Sequence, residues 1–182
     1  VGKKWGIMLG YSTSDIGDIR DPGLGTMRGT GYSQNSHDLK FEYALTPSQT
    51  LTLAHFYLDQ DDISRWHNTI HNPGWTQGSS FTTAGTDLSR DYDQERSLTY
   101  LRFEETDTNS SWIDRYQATI SFQRTQDSEF RVRESGRSDT RILDIDTFGL
   151  SLEAGTGNTI WGADYFHDQI DSQGFRNSTP RP

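Results

Sequence analysis

The stretch from Arg115 to Gln123, RYQATISFQ, constrains this chain more than any other. Tyr116, Ala118, Ile120 and Phe122 recur at every second position, with Gln117, Thr119, Ser121 and Gln123 between them. Successive side chains of a strand point to opposite faces, so the segment predicts a strand with one apolar face and one polar face. That second face hydrogen-bonds without carrying charge. A strand of a soluble sandwich can alternate in the same way, so the neighbouring segments have to decide what kind of sheet it enters.

Composition narrows the choice. Among 182 residues only 31% are hydrophobic, yet 12% are aromatic, with eight Tyr, nine Phe and five Trp. Few aliphatics with many aromatics disfavour disorder, which is poor in rings, and suit sheets with one wet face. A formal charge of −9 argues against the basic stripe that marks a nucleic-acid surface, so no nucleic-acid partner is expected. Without cysteine there is neither a disulfide framework nor a thiolate metal site. The chain shows no charged segment followed by an apolar one at its start, so a signal peptide is expected to be absent or already removed. No run approaches the roughly 18 apolar residues of a transmembrane helix, but barrel strands need only about 9–11 alternating residues each.

Alternation recurs along the chain. Lys4 to Thr13 puts Trp5, Ile7, Leu9 and Tyr11 on one face, and Asp38 to Leu45 does so with Leu39, Phe41, Tyr43 and Leu45. Thr46-Pro47-Ser48-Gln49 is a tight turn, since proline presets the backbone angle and cannot extend a central strand. Thr50 to Ile63 is a third strand of ambiguous facing, with Leu51, Leu53 and Tyr57 against Ala54, Phe56 and Leu58. Ser97 to Glu105 is the fourth, and Thr106 to Ser111 is a short turn into the fifth. Ile142 to Glu153 carries Phe148, Leu150 and Leu152 on one face. After a turn at Gly155-Thr156-Gly157-Asn158, Thr159 to Asp171 sets Trp161, Ala163 and Tyr165 against Gly162 and Asp164.

Between these strands, Ser14 to Ser36 and Ser64 to Asp93 are rich in Gly, Asp, Ser and Thr without a sustained period, and read as long loops. Asp127 to Arg141 is a moderate loop or the protruding end of two strands, and Ser172 to Pro182 is a polar tail. The connections thus run long, short, long, short, medium and short. Brief turns on one side and extended loops on the other are the construction of transmembrane β-barrels. The expected fold is therefore all-β: an antiparallel up-and-down meander of about seven strands, forming part of a transmembrane β-barrel. The alternative is a soluble all-β ligand-binding module, an up-and-down barrel or a sandwich.

The pieces LTLAHFYLDQDDISR (Leu51 to Arg65), TDLSRDYDQERSLTYLRFE (Thr86 to Glu104), LDIDTFGL (Leu143 to Leu150) and WGADYFHD (Trp161 to Asp168) resemble consecutive strands of TonB-dependent outer-membrane receptors. Within that family they are most similar to the haemoglobin, transferrin and lactoferrin-type receptors. The resemblance implies a barrel of the bacterial outer membrane that takes up an iron source, with outer-membrane lipid around it and an extracellular iron-containing ligand captured by its long loops. It also implies coupling to the TonB complex through an N-terminal plug. Neither plug nor TonB box occurs here, and the haem-uptake members' loop motifs find no match. Residues 1–182 are accordingly expected to be an internal part of such a barrel, with the plug and remaining strands absent.

The chemistry-bearing residues are few. Trp66, His67, His71 and Trp75 (WHNTIHNPGW) lie in the longest loop, where two imidazoles and two rings suit haem, a metal chelate or an aromatic ligand, since loops on rigid scaffolds carry binding residues; the plainer alternative is an ordinary surface loop whose tryptophans pack against the loop itself. Their spacing of four has metal meaning on a helix, which Asn72-Pro73-Gly74 argues against. Asp59, Asp61 and Asp62, with Asp91 and Asp93, are hard oxygen ligands but lack the spacing of a calcium loop and read as a solvated acidic rim. Arg131, Arg133, Arg137 and Arg141 interleave with Glu129, Glu134 and Asp139 as a balanced wet surface, or as contacts to an anionic ligand or lipopolysaccharide phosphate. No nucleophile elbow, phosphate-cradling loop or zinc-type histidine pair occurs. Neither enzymatic activity nor a cofactor is expected.

Overall fold

A computed structural model of the chain describes residues 4–23, 25–27, 30–64, 87–108, 110–133 and 135–177. Nine strands run through them: β1 (Trp5–Ile16), β2 (Ile19–Asp21), β3 (Gly25–Met27), β4 (Tyr32–Ala44), β5 (Gln49–Ser64), β6 (Asp87–Thr106), β7 (Arg115–Arg133), β8 (Ser138–Thr156) and β9 (Thr159–Asn177). β2 and β3 form a small hairpin. The other seven make one antiparallel meander in the order β1-β4-β5-β6-β7-β8-β9, with β1 and β9 at its two edges. The sheet is not closed.

Cross-strand register fixes which side chains share a face. Ile7 lies opposite Phe41, which lies opposite Leu53, and the row continues through Leu101, Ile120, Leu150 and Tyr165. On β1, β7 and β8 the apolar face holds a run of seven residues, such as Tyr116 to Phe122, about 20 Å along the strand; on β4 and β9 the run is five, Leu39 to Tyr43 and Trp161 to Tyr165, and on β5 His55 interrupts Leu51 to Tyr57. The run moves two residues toward the turn end between β5 and β7, because Leu51 aligns with Phe103 and Ala118 while Tyr116 aligns with Ala154 and Trp161. The facing of β5, ambiguous in sequence, is thereby set: Leu51, Leu53 and Tyr57 join this band, and Phe56 and Leu58 lie on the other side.

Among the described residues no second layer covers either face. Among the described residues the only buried apolar side chains are Ala54 and Ala154, whereas Leu9 is 73% exposed and Ile120 47%. A folded domain in water ordinarily buries its Leu, Ile and Phe. Here a whole apolar face is left open.

The strands are far longer than the band. β7 and β8 have 19 residues each, and the band occupies the end near their short turns. At the other end, Asp127 to Arg141 proves to be the protruding tips of β7 and β8, joined by a tight turn in which Arg133 N–H donates to the Arg137 carbonyl. The polar tail is corrected as well, since β9 runs on to Asn177; much of the first supposed long loop is strand, and so is each end of the second, whose residues 65–86 lie outside the described residues. β1 continues to Ile16, β4 begins at Tyr32 and β6 at Asp87. Periodicity failed there because both faces are polar; the hydrogen-bonded ladder needs no apolar face to continue. Side chains support it instead: Gln60 donates to Gln34 at 2.8 Å and Gln94 to Asp127 at 2.6 Å.

Candidate functional site

Two regions carry recognisable chemistry: the apolar band, and the charged strand tips beyond it. Aromatic side chains line both edges of the band. Trp5, Tyr43, Tyr116 and Trp161 stand at the turn end; Tyr11, Tyr57, Phe122 and Phe148 stand at the other. His37 stacks on Tyr57 with ring centroids 4.6 Å apart, and the Tyr116 hydroxyl donates to Glu105 at 2.6 Å. The Trp and Tyr rings among them join an apolar body to one polar atom, the amphipathic chemistry favoured where hydrocarbon meets water.

Beyond the band, the two faces differ in charge, acids prevailing on one, where Arg124 pairs with Asp146 at 3.7 Å, and arginines on the other. The face continuous with the band carries Asp59, Asp61, Asp93, Glu95, Asp144 and Asp171, with Asp59 directly opposite Glu95 and Asp144 opposite Asp171. Such like-charge pairs are unfavourable. Burial, and then the charges of Asp59, Asp93 and Asp62, push the Asp61 carboxyl above its ordinary value. The expected acidic rim is therefore real at β5 and β6: Asp62, held in a left-handed conformation at φ 59° beside a β-bulge, donates its N–H to Asp93 at 3.1 Å, and Ser64 donates to Asp91 at 2.7 Å. Among the described residues no carboxylate or imidazole group is arranged to hold a metal ion.

The opposite face bears arginines. Arg131 and Arg133 of β7, Arg137 of the turn and Arg176 of β9 converge on Asp139 of β8, at 2.7, 3.1, 3.6 and 3.3 Å. Beside them Arg90 of β6 holds Glu129 at 2.8 Å, with Arg141 at 3.7 Å from the same carboxylate. The expected wet, balanced surface is thus largely enclosed, with the Asp139 side chain only 8% exposed. The Arg131 hydrogen bond is the main cause holding its carboxyl below the ordinary range, against the opposing effect of burial and with help from Arg133 and Arg137. For Glu129 burial raises the value, but hydrogen bonds from Arg90 and Tyr92 outweigh it and the result is lowered.

Sequence reading missed Arg90 and Arg176, because one lay in a presumed loop and the other in a presumed tail. The signal that finds them is register: Asp139 lies opposite Arg131 on one side and Arg176 on the other, and Arg90 lies opposite Arg131 in turn. Trp66, His67, His71 and Trp75 lie outside the described residues, so the structure brings none of them to a site.

Comparison with protein-family models, with curated proteins and with solved structures finds no match to this chain.

Proposed function

We propose that this chain is a section of the β-barrel of a bacterial outer-membrane receptor, one that takes up an iron source by TonB-dependent transport. The observation that carries the membrane part is the uncovered apolar band with aromatic edges, crossing all seven strands of a single sheet. In water that surface has no means of escaping solvent, whereas in a bilayer it meets hydrocarbon and its rings meet the headgroups. Its height of about 20 Å along the strand, with rings extending it at both edges, approaches the roughly 25 Å outer belt of such barrels. The iron-uptake part rests on the resemblance of the strand sequences to TonB-dependent receptors and on the projection of long strands to one side only. On this reading the band faces lipid, the opposite face lines the lumen, and the strand tips stand outside the cell around the captured ligand.

The chain has no cysteine, so single cysteines introduced from residue 116 to 123 in the full-length protein report without background. A solvatochromic label should alternate between an apolar signal at 118, 120 and 122 and a wet one at 117, 119 and 121, in outer-membrane vesicles. A label signal without alternation, or quenching by a water-borne quencher at both sets, would sink the membrane reading. Deleting the gene should then abolish growth on a haem or iron-carrier source while leaving growth on ferrous salt; unchanged growth on every source removes the uptake function.

A further inference from the structure

Among the described residues, which leave out Glu134, the arginine cluster at the tips of β7, β8 and β9 holds many more hydrogen-bond donors than its acids can take up. Arg131, Arg133, Arg137 and Arg176 surround the single carboxylate of Asp139. Each guanidinium offers five N–H donors, and a carboxylate has about four acceptor sites. The surplus is visible locally: the Nε atoms of Arg131, Arg133 and Arg137 are enclosed with no hydrogen-bond partner among the described residues. The outer members remain accessible, with the Arg176 side chain 65% exposed and Arg141 60%. A further acid, Asp87, lies opposite Arg133 in register, yet its Oδ2 has no hydrogen-bond partner and no ion pair joins it to Arg133 within 4 Å. Glu129 is taken up by Arg90 and Arg141. Arginines thus outnumber acids among the described residues on this face of the tips, while acids outnumber Arg124 on the other, in a chain whose formal charge is −9.

We propose that this cluster binds an anionic group, a phosphate or carboxylate, with Arg176 and Arg141 making first contact and Arg133 and Arg137 completing the cradle. Planar guanidiniums suit such groups because they bind them through two parallel hydrogen bonds. A lining of one sign also raises the local concentration of an oppositely charged ligand. The location selects the source. On the membrane reading above, on which this assignment of sides rests, the cluster faces the lumen, so the anion belongs to a ligand arriving from outside and not to a lipid headgroup. The acidic face toward the lipid side would repel headgroup phosphate.

The test uses the full-length protein in detergent micelles, titrated calorimetrically with inorganic pyrophosphate. Saturable binding is expected, weakening at least tenfold between low and high salt, and at least fivefold weaker in an Arg137→Gln/Arg176→Gln double variant whose melting is unchanged. That variant leaves Asp139 paired with the more enclosed Arg131 and Arg133, so the fold is retained. A second variant, Asp139→Asn, removes the internal competitor and should bind pyrophosphate more tightly. No saturable binding, or equal binding by wild type and the double variant, overturns the proposal; so does weaker binding by Asp139→Asn in a protein that still melts cooperatively. Diphosphorylated lipid in bicelles forms a separate arm: binding there through these arginines, with none to free pyrophosphate, overturns the lumenal assignment. The cysteine labelling above reports on the membrane reading independently, so alternation without pyrophosphate binding defeats only this proposal, and binding without alternation defeats only the membrane reading.

Discussion

Ile120→Arg measures the membrane reading directly. Ile120 stands in the middle of the band on β7, directly opposite Leu101 on one side and Leu150 on the other, and is 47% exposed on the apolar face. Arginine at the bilayer midplane of a barrel costs about 2–4 kcal/mol. At about 1.4 kcal/mol per factor of ten, that is roughly a 30- to 700-fold loss in the folding equilibrium. The control has to place the same side chain on the other face. Thr119 is a poor choice, because its hydroxyl accepts a hydrogen bond from Arg102 at 3.2 Å, so a second guanidinium would both remove that bond and add repulsion. Gln117 is better: it lies opposite Glu104 and Glu153, and arginine there gains two acidic neighbours. Its cost should fall within about 0.5 kcal/mol of zero, as for surface changes away from packed sites. Urea unfolding of the full-length protein in lipid vesicles, followed by tryptophan fluorescence, gives both numbers. Equal costs for the two variants, or a larger one for Gln117→Arg, would refute the assignment of faces.

Three further outcomes follow from the same geometry. The Asp139 and Glu129 carboxyls lie outside the band and titrate below their ordinary values, so their stabilisation is complete at neutral pH and is lost as pH falls through the lowered folded values. The denaturant midpoint should therefore drop on acidification to about pH 3, and drop less in Asp139→Asn; an unchanged slope in that variant would show the carboxylate to be irrelevant to acid stability. Protease added to intact cells should cut within residues 65–86 and spare Thr46 to Gln49, which closes the β4–β5 hairpin at the end assigned to the periplasm. Cleavage at Thr46 to Gln49 in sealed cells would reverse the orientation.

How much of this was legible in the sequence depended on contrast between the two faces of a strand. β7 announces itself between Tyr116 and Phe122, where every apolar residue has polar neighbours; Trp5 to Tyr11 and Trp161 to Tyr165 alternate less sharply, with Gly6, Met8 and Gly10 between the rings and aliphatics of the first and Gly162 and Asp164 in the second. The tips gave no such signal. From Gln123 to Arg133 both faces are largely polar, so a strand and a loop have the same composition, and only the pairing of Asp127 with Gln94 and Leu143 shows the ladder continuing. β5 failed in the opposite way, since Phe56 and Leu58 make its second face apolar as well; Phe56 stacks on Tyr100 across the strand pair at 6.3 Å, a contact with no local signature. The arginine cluster was hidden for a third reason. Asp139 and Arg176 are separated by 37 residues, and no short-range pattern links an acid at the start of one strand to a base at the end of the next.

The open edges lead to the last prediction, that residues 1–182 expressed alone associate or require detergent. β1 pairs only with β4, and β9 only with β8, so each leaves one side of its ladder without a partner in the sheet. In a meander of seven antiparallel strands the first and last run in the same direction. Bringing β1 against β9 would thus demand a parallel pair, whereas bacterial single-chain barrels close antiparallel with an even number of strands. The edges cannot satisfy one another in the pattern the rest of the sheet uses. Left open in hydrocarbon, each unpaired N–H or C=O costs several kcal/mol. In water the same groups are solvated, but a 19-residue edge such as β9, next to an exposed apolar face, is a template for another copy. Size-exclusion chromatography in plain buffer should therefore give aggregate, and detergent should disperse it. A monomer that melts in one sharp transition without detergent would mean that the apolar face is covered and the edges satisfied within these residues. It would favour a soluble all-β binding module over the barrel section.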